Sequence, residues 1–225
     1  LSLNQIRLRL DELALSGNVD IDLGSSSVKG HLVADAFNLK SQLETLGKRF
    51  PEITSPQMAS STALTAVSFD SHFDIKPLGQ SEALNAVSLD GQNFNMDLRV
   101  DNSRNLMTFS LSGQQLRLAE YLPATASDSP RNTASNSDNA IFAPLAIPFA
   151  LWQGQSQVEI SIGRVELNGY TISNFYSNIF GNQRVLRVTS LNADLFDGQI
   201  NAIGKLDMRS STPSFALQPS MYNIN

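Results

Sequence analysis

Cysteine is missing from this sequence altogether. That excludes a disulfide scaffold, a thiolate metal site and a cysteine nucleophile. Basic charge is scarce too: 16 Lys and Arg stand against 21 Asp and Glu, for a net charge of -5. Phosphate backbones are held by clustered Lys and Arg, and no basic stripe occurs here, so no nucleic-acid partner is expected. Charged residues of all kinds reach only 16%, against about 25% in typical soluble domains. Ser and Asn carry much of the polarity instead. No apolar run approaches the ~18 residues that cross a bilayer as a helix, and no signal-peptide pattern opens the chain. GxSxG, P-loop, GxGxxG and SxxK signatures are absent.

What is present is alternation punctuated by turn dipeptides. In Thr189 to Arg209, TSLNADLFDGQINAIGKLDMR, an Asp-Gly pair sits between alternating apolar residues, the strongest short-range hairpin signal. A two-residue turn at Asp197-Gly198 sets Leu195 opposite Ile200, Ala193 opposite Ala202 and Leu191 opposite Gly204, all on one face. The other face carries Asn192, Asp194, Asn201, Lys205 and Asp207. Asp90-Gly91 predicts the same unit over Ala83 to Val100, with Val87 opposite Phe94 and Ala83 opposite Leu98, and with Leu89 and Met96 on that face. Asn168-Gly169 predicts a third, pairing Leu167 with Tyr170 and Val165 with Ile172. Gly163 shifts the alternation of Val158, Ile160 and Ile162 relative to Val165 and Leu167, as a bulge does.

The remainder follows the same pattern. A three-residue connection at Ser16-Gly17-Asn18 pairs Leu15 with Val19 and Leu13 with Ile21. Val28 to Phe37 and Ala63 to Ile75 read as strands, and Met107 to Leu118 as another. Gly181-Asn182 turns the chain into Val185 to Val188, and Phe215 to Met221 is a last, weak strand. Only Leu39 to Arg49 changes period: Leu39, Leu43 and Leu46 have helical spacing, with Gly47 and Pro51 as stop signals. Thr125 to Asn139 has no large apolar residue, and a disordered loop is expected over 124–140. Ile141 to Trp152 is apolar but broken by Pro144 and Pro148, which rules out a central strand or a long helix.

Candidate chemistry is thin. His31 and His72 have no Cys or HxxxH companion in sequence, so surface or structural roles are expected of both and no metal site or cofactor is assigned. The pairs Asp20/Asp22 and Asp194/Asp197 are read as wet-face and turn residues rather than a catalytic dyad. An enzyme is therefore not expected. The apolar face is the remaining feature, and it reads either as the core of a closed sandwich or as the lining of a groove for an apolar ligand.

The run ISIGRVELNGYTISNF, Ile160 to Phe175, followed by LNADLFDGQINAIGKLDMR, resembles the C-terminal part of the AsmA family of bacterial envelope proteins. Leu118-Ala119-Glu120-Tyr121-Leu122-Pro123 is similar to the family's L-D-x-Y-L-P element, with Ala119-Glu120 departing from its usual acidic-basic pair. Phe37-Asn38-Leu39 and Leu43 to Gly47 are similar to its N-L-x-x-L-L-x-x-L-G helix. The resemblance implies a periplasmic, groove-bearing, β-rich region, held to the inner membrane by an N-terminal anchor that this chain lacks. It also implies links to outer-membrane assembly partners and to phospholipid movement, with no catalytic residue to carry over.

Together these readings predict a mainly β protein over residues 1–225, one region of a longer protein. Its sheet is expected to be curved, antiparallel and built of hairpins, open or partly closed, with one or two short helices. The expected ligand is a phospholipid or other acyl lipid. Its candidate contacts are Val87, Phe94, Met96, Leu98, Val165, Leu167, Ile172, Leu191, Leu195, Ile200 and Leu206. The alternative is a β-sandwich binding or adhesion module whose apolar face is only a structural core.

Overall fold

A computed structural model describes residues 1–49, 60–122, 154–210 and 214–223. Alternation every two residues, broken by turns, gives strands β1 (Ser2–Leu10), β2 (Leu13–Asp22), β3 (Ser27–Phe37), β4 (Val67–Ile75), β5 (Gln80–Leu89) and β6 (Gln92–Asp101). These are followed by β7 (Leu106–Arg117), β8 (Gln155–Leu167), β9 (Tyr170–Asn182), β10 (Val185–Leu195), β11 (Gly198–Asp207) and β12 (Ser214–Tyr222). The one stretch of helical spacing forms α1 (Leu39–Arg49), where the Asn38 side chain accepts the Ser41 amide at 2.9 Å as an N-terminal cap. A single turn, α2 (Leu118–Tyr121), follows β7. The loop expected over 124–140 and the Ile141 to Trp152 segment lie outside the described residues.

All twelve strands belong to one sheet, and their order in space is their order along the chain. Neighbours are antiparallel except β7 and β8, which run parallel. The sheet is open and curved, as expected of hairpin after hairpin; the parallel junction was not foreseen. It falls at the longest interval in sequence between consecutive described strands, Arg117 to Gln155, and only a long connection can join parallel neighbours.

Two predicted hairpins form in the expected register: Val87 pairs with Phe94 and Ala83 with Leu98, while Leu167 pairs with Tyr170 and Val165 with Ile172. Three turns move. At β10–β11 the turn is Phe196-Asp197, both residues at positive φ (49° and 59°), so Leu195 pairs with Gly198, Ala193 with Ile200 and Leu191 with Ala202. Gly198 serves a different need, because a Cβ there would collide with the Tyr222 carbonyl of the neighbouring β12. Phe196, freed from the ladder, meets Tyr170 edge-on, ring centroids 5.7 Å apart. The register slips by two residues, which leaves every apolar side chain on its predicted face.

At the start of the chain no turn forms at Ser16-Gly17-Asn18. β2 runs straight through it and pairs with β1 around Asp11-Glu12, so Leu8 rather than Val19 faces Leu15. Gly17 is needed within the strand, where a Cβ would strike the His31 carbonyl. The third moved turn is Gln183-Arg184, beyond Gly181-Asn182, with Val185 pairing to Asn182. β4 also begins later than expected: residues 61–66 form a turn rather than strand.

Gly163 changes the facing of side chains as predicted, but not as an inserted residue. Pairing of β8 with both neighbours continues unbroken on either side of it. Ile162 and Val165 are nevertheless both buried in one cluster, with Leu111 and Leu116 of β7 and Phe175 and Ile172 of β9. Three adjacent strands therefore switch facing at one level, at Gln114, Gly163 and Asn174, and Asn174 takes a positive φ of 51° to do so. This crease keeps both halves of the long strands apolar on the same side.

Candidate binding surface

Paired residues in neighbouring strands point to the same side, so the registers trace one face across the sheet. It runs through Leu8, Leu15, Leu32, Phe69, Val87, Phe94 and Leu111, each cross-strand neighbours or two residues away. Beyond the parallel junction it continues through Ile160, Ser177, Leu191, Ala202 and Pro219. All eleven candidate contacts fall on this face. Phe94 and Val165 are buried, while Val87, Met96, Leu98, Leu167, Ile172, Leu191, Leu195, Ile200 and Leu206 are half-buried.

Two clusters give the face its relief. One gathers Ala34, Phe37 and Val67 with Leu39 of α1; the other gathers Phe94, Ile162 and Val165. Leu89 packs against both. The Phe94 ring covers Gly113 on β7, where a Cβ would sit 2.5 Å from it. Gly113 thereby lets Phe94 join a cluster with Ile162, two strands away. Only eleven apolar side chains are buried among the described residues, and Ile162 is the one large side chain that is fully so. Toward the ends the face lies open: Leu3, Leu8 and Leu10 of β1 and Phe215, Leu217 and Met221 of β12 are exposed. Among the described residues there is one sheet and no second sheet packed on this face.

The Leu118 to Leu122 element has a definite task. Asp90, at the β5–β6 turn with φ 50°, accepts three successive backbone amides: Leu64 at 2.7 Å, Thr65 at 3.0 Å and Ala66 at 2.9 Å. The Tyr121 hydroxyl donates to the same carboxylate at 3.0 Å and receives the Gln92 side-chain amide at 2.8 Å. Gln92 in turn accepts the Arg117 backbone amide, at 2.6 Å. Burial, reinforced by the Asp90 carboxylate, raises the Tyr121 hydroxyl well above the ordinary tyrosine range. Asp90, expected only to turn the chain, thus anchors α2 and the 61–66 turn to one end of the apolar face.

The opposite face is polar. Asp22 accepts the Gly24 amide at 2.9 Å and the Ser25 hydroxyl at 2.7 Å, bonds that hold its carboxyl below the usual range, Ser25 foremost. Asp194 accepts the Asn174 side chain at 2.6 Å, and Asp197 sits in the turn. Asp20 and Asp22 both edge one depression of about 440 Å³, together with Ser25, Ser27, Lys29 and Lys76. The two histidines do meet: β3–β4 pairing sets His31 opposite His72, with rings stacked at 3.9 Å and 15°, and both reach Asp70. Sequence spacing could not show this, because the partners lie 41 positions apart and only the register joins them. His72 and Asp70 also edge a depression of about 520 Å³ whose lining includes Asn95, Asp97, Ser110 and Ser112.

An open, single-layer β-sheet with one apolar face of twelve strands and one polar face defines the class of this molecule. The AsmA family model matches residues 1–225, the whole chain, and the chain belongs to the AsmA family. It is accordingly an envelope-related protein. No curated protein and no solved structure matches it. Among the described residues no helix is long and apolar enough to cross a membrane.

Proposed function

We propose that this chain is a non-enzymatic, periplasmic part of an envelope-biogenesis protein that carries or shields phospholipid acyl chains along its apolar face. The observation that supports this reading is the continuity of that face over twelve strands, with no second sheet over it among the described residues. Strands about 4.8 Å apart make it about 53 Å across, longer than the ~30 Å hydrocarbon core of a bilayer. An acyl chain taken through water costs about 0.8 kcal/mol per CH₂, and an apolar lining offsets that cost without any catalyst. In the same proposal the full protein is anchored in the inner membrane and works with outer-membrane assembly partners.

The absence of cysteine makes the test direct. Single cysteines at Leu98 and Leu195 on the apolar face, and at Glu82 on the polar face, are labelled with a water-soluble maleimide in the folded protein. Phospholipid is expected to slow labelling at Leu98 and Leu195 and to leave Glu82 unchanged. Equal rates with and without lipid at all three positions would remove the lipid reading.

A further inference from the structure

We propose that His31, Asp70 and His72 form a binding site for a divalent transition-metal ion, zinc being the probe of choice. The inference stands on the polar face and is independent of the lipid reading. The register builds the site: His31 on β3 is the direct partner of His72 on β4, and Asp70 lies two residues from His72, on the same side of that strand. His31 Nε2 lies 2.8 Å and His72 Nδ1 lies 3.3 Å from the same oxygen, Asp70 Oδ1. One donor atom from each residue falls within 4.8 Å of the others.

Donor chemistry and spacing point to the same ions. Two imidazole nitrogens and a carboxylate oxygen suit zinc and copper, whereas calcium and magnesium take oxygen donors. Donors at about 2.0–2.1 Å from a tetrahedral zinc stand about 3.3 Å apart. The two separations to Asp70 Oδ1, 2.8 and 3.3 Å, lie at or below that value and the third donor pair is within 4.8 Å, so small side-chain rotations bring all three donors onto one ion. The backbone needs no movement, because the ladder already fixes both strands. Three protein donors leave a fourth position for water. Side-chain exposures of 35% for His31, 47% for Asp70 and 62% for His72 leave a path for the ion.

Calorimetric titration of the whole chain with Zn²⁺ tests this. One saturable equivalent is expected, with H72A and H31A each weakening binding about tenfold or more and D70N weakening it as well. Cu²⁺ bound to the same protein is expected to show nitrogen coupling from two imidazoles in its electron paramagnetic resonance spectrum. His72 is exposed, so H72A keeps the fold, and an unchanged urea midpoint without metal verifies that. No saturable binding, or binding that H72A and H31A leave unaltered, would overturn the site and leave a hydrogen-bonded polar cluster.

Discussion

Tyr121 ties together three stretches that are distant in sequence. Its hydroxyl bonds Asp90 and Gln92 while Asp90 holds the amides of 64–66, so one phenol oxygen secures α2 to the β5–β6 turn. Removing only that oxygen in Y121F leaves a half-buried carboxylate and amide short of a partner, at a cost of about 1–3 kcal/mol. Urea unfolding at pH 7 measures it. The raised hydroxyl pKa gives a second signature. A group whose folded pKa exceeds its unfolded value of about 10 contributes stability below that pH and loses it as pH rises further. Wild type should therefore lose stability above pH 10 faster than Y121F, and parallel curves would contradict the assignment.

Asp207 works in the opposite sense. Arg209 first, then Lys205, hold its carboxyl far below the usual range. Its contribution is present above about pH 4 and declines as pH falls. The gap in urea midpoint between wild type and D207N is expected to be small, because both cationic partners, Lys205 and Arg209, are exposed, and to shrink between pH 7 and pH 3. Neither the Tyr121 bond nor the His31–His72 stack was legible beforehand. Both depend on which strands become neighbours, which residue identity alone does not state.

At the scale of strands and turns, legibility tracked local chemistry. Asp90-Gly91 and Asn168-Gly169 turned where expected because nothing else claimed their glycines. Gly17 and Gly198 were needed by an adjoining backbone, and the turns moved to Asp11-Glu12 and Phe196-Asp197. The apolar face survived the move at the β10–β11 hairpin because a slip of two preserves facing. Gly113 offers a test of how an aromatic ring covers a strand glycine: in G113A the new methyl displaces Phe94, with an expected loss of about 1–3 kcal/mol. The same substitution at Gly91, where a Cβ meets nothing, should behave differently, since its φ of 80° opposes any side chain. A G113A protein as stable as wild type would mean that the ring is free to swing aside.

The sheet formed by the described residues is close to one-dimensional. Each strand packs on its sheet neighbours, and its two small cores, joined at Leu89, lie between β2 and β9. Stability in such an array is a sum of neighbour terms rather than one all-or-none quantity. Hydrogen exchange is expected to be slowest in β6 to β9 and fastest in β1 and β12, whose side chains are almost all exposed. Uniform protection from end to end would show a cooperativity that this architecture does not provide.

Because spatial order copies chain order, the sheet can change size without being redesigned. Duplicating or deleting one hairpin inserts or removes two adjacent strands, restores the original chain direction and returns the apolar side to the same face. Each such event alters the width by about 10 Å. Gene-level copy number, rather than the evolution of new folds, can thus set how far the apolar path extends.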